Sequence, residues 1–141
     1  MTISARNVFD ASITALVPGK VNIELELTTA TGLKLVSTVT ADSARALGLA
    51  VGKAVVAIVK APSVLVATGT PGKGFSARNQ LAGSVAHVTP GPVNAEVAID
   101  VGGALVHAVV TNDAVKELGL AAGVPAMAVF KAGSVMVGVT G

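Results

Sequence analysis

Val21-Asn22-Ile23-Glu24-Leu25-Glu26-Leu27 alternates apolar and polar residues, the period of a strand with one face buried. Val93-Asn94-Ala95-Glu96-Val97 alternates in the same way. Each stretch leads through a turn into a second strand-like run, Leu33 to Val39 and Leu105 to Val110. Apolar runs of strand length come next, at Ala54 to Val59 and Ala126 to Phe130, and Val64 to Ala67 and Val135 to Val139 close the two series. Only two stretches read as helix. Asp42 to Leu47 and Asp113 to Leu118 combine an early acid with good helix formers and end beside a Gly. Thr40 or Asp42, and Thr111 or Asp113, are the expected N-caps.

The pattern occurs twice because the chain is a tandem repeat. Ser4-Ala5-Arg6-Asn7 recurs as Ser76-Ala77-Arg78-Asn79, Pro18-Gly19 as Pro90-Gly91, and Val21-Asn22 as Val93-Asn94, all at an offset of 72. One residue is then lost, and Thr40, Asp42, Leu47-Gly48-Leu49, Lys60-Ala61 and Ser63-Val64 match Thr111, Asp113, Leu118-Gly119-Leu120, Lys131-Ala132 and Ser134-Val135 at an offset of 71. The loss falls near Thr31-Gly32 and Gly102-Gly103, where a hairpin turn absorbs a change of length. The division expected is a first domain over 1–68, a Gly/Pro linker over 69–74 and a second domain over 75–141. The fold class expected is mainly β: two OB-like five-stranded β-barrels in tandem, each with one short helix between its third and fourth strands.

Composition narrows the function. Of 141 residues, 52% are hydrophobic and 13% charged, a balance opposite to that of disordered chains. With 2% aromatic residues, the core must be built from Val, Ala, Leu and Ile. Two very small domains cannot bury so much apolar side chain alone, which points to a homo-oligomer. A net charge of +2 is too mild for a nucleic-acid field. The absence of Cys removes disulfides and thiolate metal sites and fits a reducing cytoplasm. No apolar run is long and clean enough to span a membrane, and the first residues lack the apolar core of a signal peptide.

Duplication also filters the polar residues. Core positions drift between copies while staying apolar, whereas a polar residue kept in both has a specific role or a shared fold constraint. Two cations are kept identically, Arg6 with Arg78 and Lys60 with Lys131. Lys20, Lys34, Arg45, Lys53, Lys73 and Lys116 are not, and are read as solubilising surface. Arg and Lys beside Ser4 and Ser63, or Ser76 and Ser134, form a set made of donors, and the small Ala5, Ala61, Ala77 and Ala132 leave backbone N–H groups open to a ligand. That chemistry suits an unprotonated oxyanion. Glu24/Glu96 and Asp42/Asp113 are kept too, so an internal ion pair stands as an equal alternative on composition alone.

As a motif these residues say more. Ser76-Ala77-Arg78-Asn79-Gln80-Leu81-Ala82-Gly83-Ser84-Val85 resembles the S-A-R-N-x-L-x-G-x-V signature of Mop domains. The first copy keeps Ser4 to Asn7 but has Phe9 and Ala11 where that pattern has Leu and Gly. A later K-A-x-S-V element appears as Lys60 to Val64 and as Lys131 to Val135. The resemblance covers nearly the whole chain, twice, and is to tandem Mop-domain molybdate-binding proteins, the molbindins. It implies cytoplasmic binding of molybdate, with tungstate as substitute, for storage or homeostasis. It further implies a trimer with oxyanion sites where subunits meet. Carried onto this sequence, the molybdate-binding set is Ser4, Ala5, Arg6, Thr40, Lys60, Ala61 and Ser63, with Ser76, Ala77, Arg78, Thr111, Lys131, Ala132 and Ser134 from the second copy; Thr40 and Thr111 match a position contributed by a neighbouring subunit. Sites on a three-fold axis are also implied, and the repeated turns Pro18 to Asn22 and Pro90 to Asn94 are the candidates for them.

Other functions fit less well. An OB-type nucleic-acid module needs aromatic platforms, and Phe9, Phe75 and Phe130 are too few. An enzyme needs a nucleophile with a base in reach or paired carboxylates; there is no Cys, His87 and His107 are not repeats of each other, and no catalytic spacing is found. No residues are expected as direct ligands of a metal cation. A molybdate-sensing regulatory subunit would carry a helix-turn-helix or a phosphate-binding loop, and neither pattern is present.

Overall fold

The computed structural model describes residues 3–69 and 74–140. Among the described residues ten strands, two α-helices and two 3-10 turns follow one another in a doubled order. In the first copy β1 (Asn7–Val17), β2 (Asn22–Thr29) and β3 (Lys34–Thr40) precede α1 (Ala41–Leu47), β4 (Ala54–Val59), a 3-10 turn (Ala61–Ser63) and β5 (Leu65–Ala67). In the second, β6 (Asn79–Pro90), β7 (Asn94–Asp100) and β8 (Leu105–Thr111) precede α2 (Asn112–Leu118), β9 (Pro125–Phe130), a 3-10 turn (Ala132–Ser134) and β10 (Met136–Gly138). The periodicity therefore gives these elements to within a residue or two, apart from β7, which runs three residues past the alternation that ends at Val97, and the opening strands β1 and β6, whose bounds it leaves open.

Both helices are set by local chemistry. Thr40 Oγ1 accepts from Ser43 N and Thr111 Oγ1 accepts from Ala114 N, each at 3.1 Å, so the threonines are the N-caps. Gly48 and Gly119 end the helices at φ of 63° and 62°, a left-handed conformation that a side chain disfavours. Arg45 and Lys116, read above as solubilising surface, share one place: each is the basic residue of its helix's last turn, where the helix dipole favours a cation.

The two five-stranded sheets have the orders β10-β4-β1-β2-β3 and β5-β9-β6-β7-β8, with every described pairing antiparallel. Long β1 serves both β2 and β4, and β6 serves β7 and β9; each has a register shift, between Ile13 and Ala15 and between Val85 and His87. Such a bulge sharpens strand twist. The outer strands of each sheet, β10 with β3 and β5 with β8, then come into contact, which curls each sheet into a barrel. Ile13, Leu25, Leu27 and Leu35 fill the first core, and Val85, Val97, Ile99, Val106 and Met127 the second. The alternation of β2 and β3 is the cause: their odd-numbered apolar residues face inward.

The strand orders differ from a simple reading of the repeats. The compact units are Met1–Val59 with Lys131–Gly141, and Lys60–Phe130. The expected division at 1–68 and 75–141 separates the copies of sequence, but the last segment of each copy closes the other copy's sheet. β10 pairs with β4 through Met136↔Ile58, Val137↔Ala57 and Gly138↔Val56, and β5 pairs with β9 through Leu65↔Val129, Val66↔Ala128 and Ala67↔Met127. In the first unit, buried Ser37 on β3 donates to the carbonyl of Val135 at 2.7 Å, tying the incoming segment down. Most of the linker expected at 69–74 lies outside the described residues.

Candidate functional site

The S-A-R-N loops run directly into the first strand of each barrel. Asn7 and Asn79 are buried, at 1% and 2% exposure, while Ser4, Arg6, Ser76 and Arg78 are exposed and Ala5 and Ala77 half-buried. Each loop is thus anchored by its Asn and presents its Ser and Arg outward. A polar residue so deeply buried serves the fold, because an amide is taken out of water only where it finds partners.

Strand register then brings the second cation to the first. Asn7 pairs with Val59, so Arg6 before the one and Lys60 after the other leave the same end of the β1/β4 ladder. Asn79 pairs with Phe130, so Arg78 and Lys131 leave the same end of the β6/β9 ladder. Residues 54 positions apart in sequence, and 53 in the second copy, thus flank one paired position of a ladder. Lys60 and Lys131 are both exposed.

Beyond each lysine the chain makes a 3-10 turn. Ser63 N donates to Lys60 O at 2.9 Å and Ser134 N to Lys131 O at 3.0 Å, so these two backbone donors are used within the turn and the serines can offer only their hydroxyls. Ala61 and Ala132 turn their methyls into the core. Ser63 is exposed and Ser134 half-buried. Pro62 lacks an N–H where Gly133 has one, so the second turn has a backbone donor more than the first.

Thr40 and Thr111 stand elsewhere, at the far ends of β3 and β8, opposite Asn22 and Asn94. Their oxygens already serve as helix caps; the Thr40 hydroxyl donates in turn to Ser43 Oγ at 2.8 Å. Thr111 borders an apolar cleft of 640 Å³ in the second unit, lined among others by Leu65, Phe75, Val109, Leu118 and Asn94. The register thus sets each Arg at the Lys end of its ladder, and each Thr at the end of the sheet's outer strand opposite Asn22 or Asn94.

Three of the acids have described partners. Asp42 is held by Arg45 on its own helix, Glu26 lies 3.8 Å from Lys34, and Glu96 Oε1 lies 3.1 Å from His107 Nδ1 across β7 and β8. No group of three or more His, Cys, Asp or Glu that could hold a metal cation occurs among the described residues. Among the described residues no helix is long and apolar enough to cross a membrane.

One side chain of the motif did not stand out in the sequence. Gln80, on β6, reaches back over the second loop: its Nε2 donates to the carbonyl of Ala77 at 3.0 Å and approaches that of Phe75 at 3.5 Å. The first copy has Val8 at that position, 44% exposed.

Known proteins share the repeat and the fold. The TOBE domain family matches residues 3–66 and again 76–137. The chain is 44% identical over 138 residues to the molybdenum-pterin-binding protein MopA of Rhodobacter capsulatus, covering 96% of this chain and 52% of MopA. It is 43% identical over 142 residues to the molybdenum transport protein ModE of Azotobacter vinelandii, covering 100% of this chain and 52% of ModE. The chain thus spans about half the length of these curated relatives. A crystal structure of the cytoplasmic molybdate-binding protein ModG, with molybdate bound, superposes with a TM-score of 0.94 at 49% identity over 99% of this chain and 100% of that one. Two family matches over nearly the whole length, each containing one S-A-R-N loop and one K-A-x-S-V turn, establish that the chain belongs to the TOBE-domain family as a tandem pair of Mop-type repeats.

Proposed function

We propose that the chain binds tetrahedral oxyanion dianions, molybdate foremost and tungstate as a close substitute, and holds them unchanged in the cytoplasm for molybdenum storage or homeostasis. One observation carries this reading: in both barrels the same Arg and the same Lys leave the same end of the equivalent ladder, with serines close by in sequence that are exposed or, for Ser134, half-buried. Arg6 with Lys60 and Arg78 with Lys131 are the charged centres, and Ser4, Ala5, Ala61 and Ser63, with Ser76, Ala77, Ala132 and Ser134, supply hydroxyl and backbone donors. The names of MopA and ModE and the molybdate in the ModG structure support the same cargo. Such a set discriminates by proton and size. Phosphate near neutral pH often carries a proton and seeks an acceptor; sulfate is smaller, so rigid donors reach it poorly; tungstate nearly matches molybdate and is weakly discriminated.

The binding form is a homo-oligomer, a trimer by analogy with the molbindins, in which Thr40 and Thr111 serve sites formed with a neighbouring subunit. Exposed apolar residues at equivalent places support this: Val21 and Val93 at 72% and 70%, Leu65 and Met136 at 60% and 50%. Side chains of that kind are stabilised when another copy covers them. The turns at Pro18–Asn22 and Pro90–Asn94, which carry Val21 and Val93, remain the candidates for axial sites.

Equilibrium dialysis against molybdate, with elemental analysis of the native oligomer, tests the reading. Bound molybdenum is expected, retained in equimolar sulfate and displaced by tungstate. Arg78→Ala with Lys131→Ala should remove part of the capacity, and full capacity in that double variant would refute the site.

A further inference from the structure

The two copies differ at the residue that follows the S-A-R-N motif, and the difference bears on how well each loop is held. In the second copy the Gln80 amide donates to Ala77 O at 3.0 Å and lies 3.5 Å from Phe75 O, the second contact being long for a hydrogen bond. Both acceptors belong to the segment that bears Ser76 and Arg78. A peptide group is planar, so holding the Ala77 carbonyl also holds the amide that begins Arg78 and the direction in which the Arg78 side chain departs. The carbonyl itself, an acceptor that would repel an anion, is occupied by a donor. In the first copy Val8 stands at this position and has no polar atom to offer the loop.

We propose that Gln80 is a positioning residue that preorganises the second oxyanion site, and that its absence from the first copy makes the two sites unequal in affinity. This rests on the site reading given above. Binding to an ordered loop avoids the entropy of ordering it during association, so the braced site is the tighter one. The brace touches no ligand. It acts on the loop, and its loss should raise the dissociation rate of the anion without changing which anion is preferred.

The test uses the full chain and sodium molybdate, with calorimetric titration in two backgrounds. Arg6→Ala leaves the second site to report, and Arg78→Ala the first. Adding Gln80→Val to Arg6→Ala should weaken molybdate binding about fivefold, the scale of ordering one short loop segment. Adding it to Arg78→Ala should change nothing. Hydrogen exchange in the ligand-free protein supplies a readout that a general loss of stability would not mimic: amides of residues 76–78 should exchange faster in Gln80→Val while those of β7 keep their protection. Should Gln80→Val lower the melting temperature as a whole, the reverse change decides. Val8 is exposed, so Val8→Gln is accommodated without repacking, and in the Arg78→Ala background it should tighten the first site. Equal affinity with and without Gln80 in the Arg6→Ala background, or no gain from Val8→Gln, overturns the proposal. If Arg78→Ala itself leaves the molybdate capacity whole, the underlying site reading fails instead, so the two failures are distinguishable.

Discussion

Arg78 and Asn79 are adjacent, kept in both copies, and divide the work of the motif: the asparagine is buried and fixes the loop, the arginine faces out. Retention alone does not separate these roles, because a fold constraint and a binding constraint leave the same trace in a duplicated sequence. Burial separates them. The arginine's role depends on its shape as well as its charge. A guanidinium presents a fixed fork of donors to two oxygens of one anion, whereas an ammonium is a point charge. Arg78→Lys should therefore weaken molybdate binding at the second site about tenfold, close to 1.4 kcal/mol, as measured by titration in the Arg6→Ala background. Unchanged affinity would mean that charge alone suffices. Ser37 gives the complementary case of a residue that the sequence marks in no way. Its counterpart is Ala108, so duplication offers no hint, yet its hydroxyl bonds the Val135 carbonyl inside the first core. Ser37→Ala leaves that carbonyl without this donor and should cost about 1–3 kcal/mol in urea denaturation, with molybdate selectivity intact.

At the scale of elements, strands and helices were legible because their signals are local: a period of two, a capping threonine, a glycine at a left-handed end. The hairpin between β7 and β8 shows what a single missing residue does. It is one residue shorter than the β2–β3 turn, and the strand beneath it has Gly83 where the first copy has Ala11. A Cβ built on Gly83 would lie 1.9 Å from the Asp100 carbonyl oxygen and 3.0 Å from Val101 Cα, a collision with backbone that cannot swing aside. In the first copy Ala11 pairs with Thr29 and the longer turn leaves room. The departure from the Mop signature at Ala11 thus follows from hairpin length and takes no donor from the site. Gly83→Ala should destabilise the second unit by roughly 1–3 kcal/mol, the range for forcing extra atoms into a packed place, whereas Ala11→Gly should have a much smaller effect. Thermal melts of the two variants would check the contrast, and equal losses would contradict it.

For the whole molecule, the decisive fact is that each barrel is closed by the other repeat's last strand. A fragment of residues 1–68 lacks Lys131–Gly141, so β4 is left with an open edge and Ser37 without its acceptor. Open edges recruit strands. The fragment carries β5, the sequence counterpart of β10, and two copies can exchange it reciprocally. The expected outcome in analytical ultracentrifugation is a dimer or larger species with little folded monomer, and a stable, folded monomer would show that exchange is not required. The sequence by itself determined the doubled order of elements, the β class, the starts of the two helices and the retained Arg and Lys, since periodicity, helix-start signals and duplication are all written in residues close together or at a constant offset; the structure chose Thr40 and Thr111 over Asp42 and Asp113 as the caps. Only the tertiary structure decided which segment closes which sheet, and that Arg6 meets the Lys60 end of its ladder. The closing segments of the two copies are nearly alike, K-A-x-S-V in both, so either could complete either barrel on local grounds. Pairing between strands far apart along the chain is chosen by the three-dimensional path between them, and it leaves no period in either strand for a reader of the sequence to find.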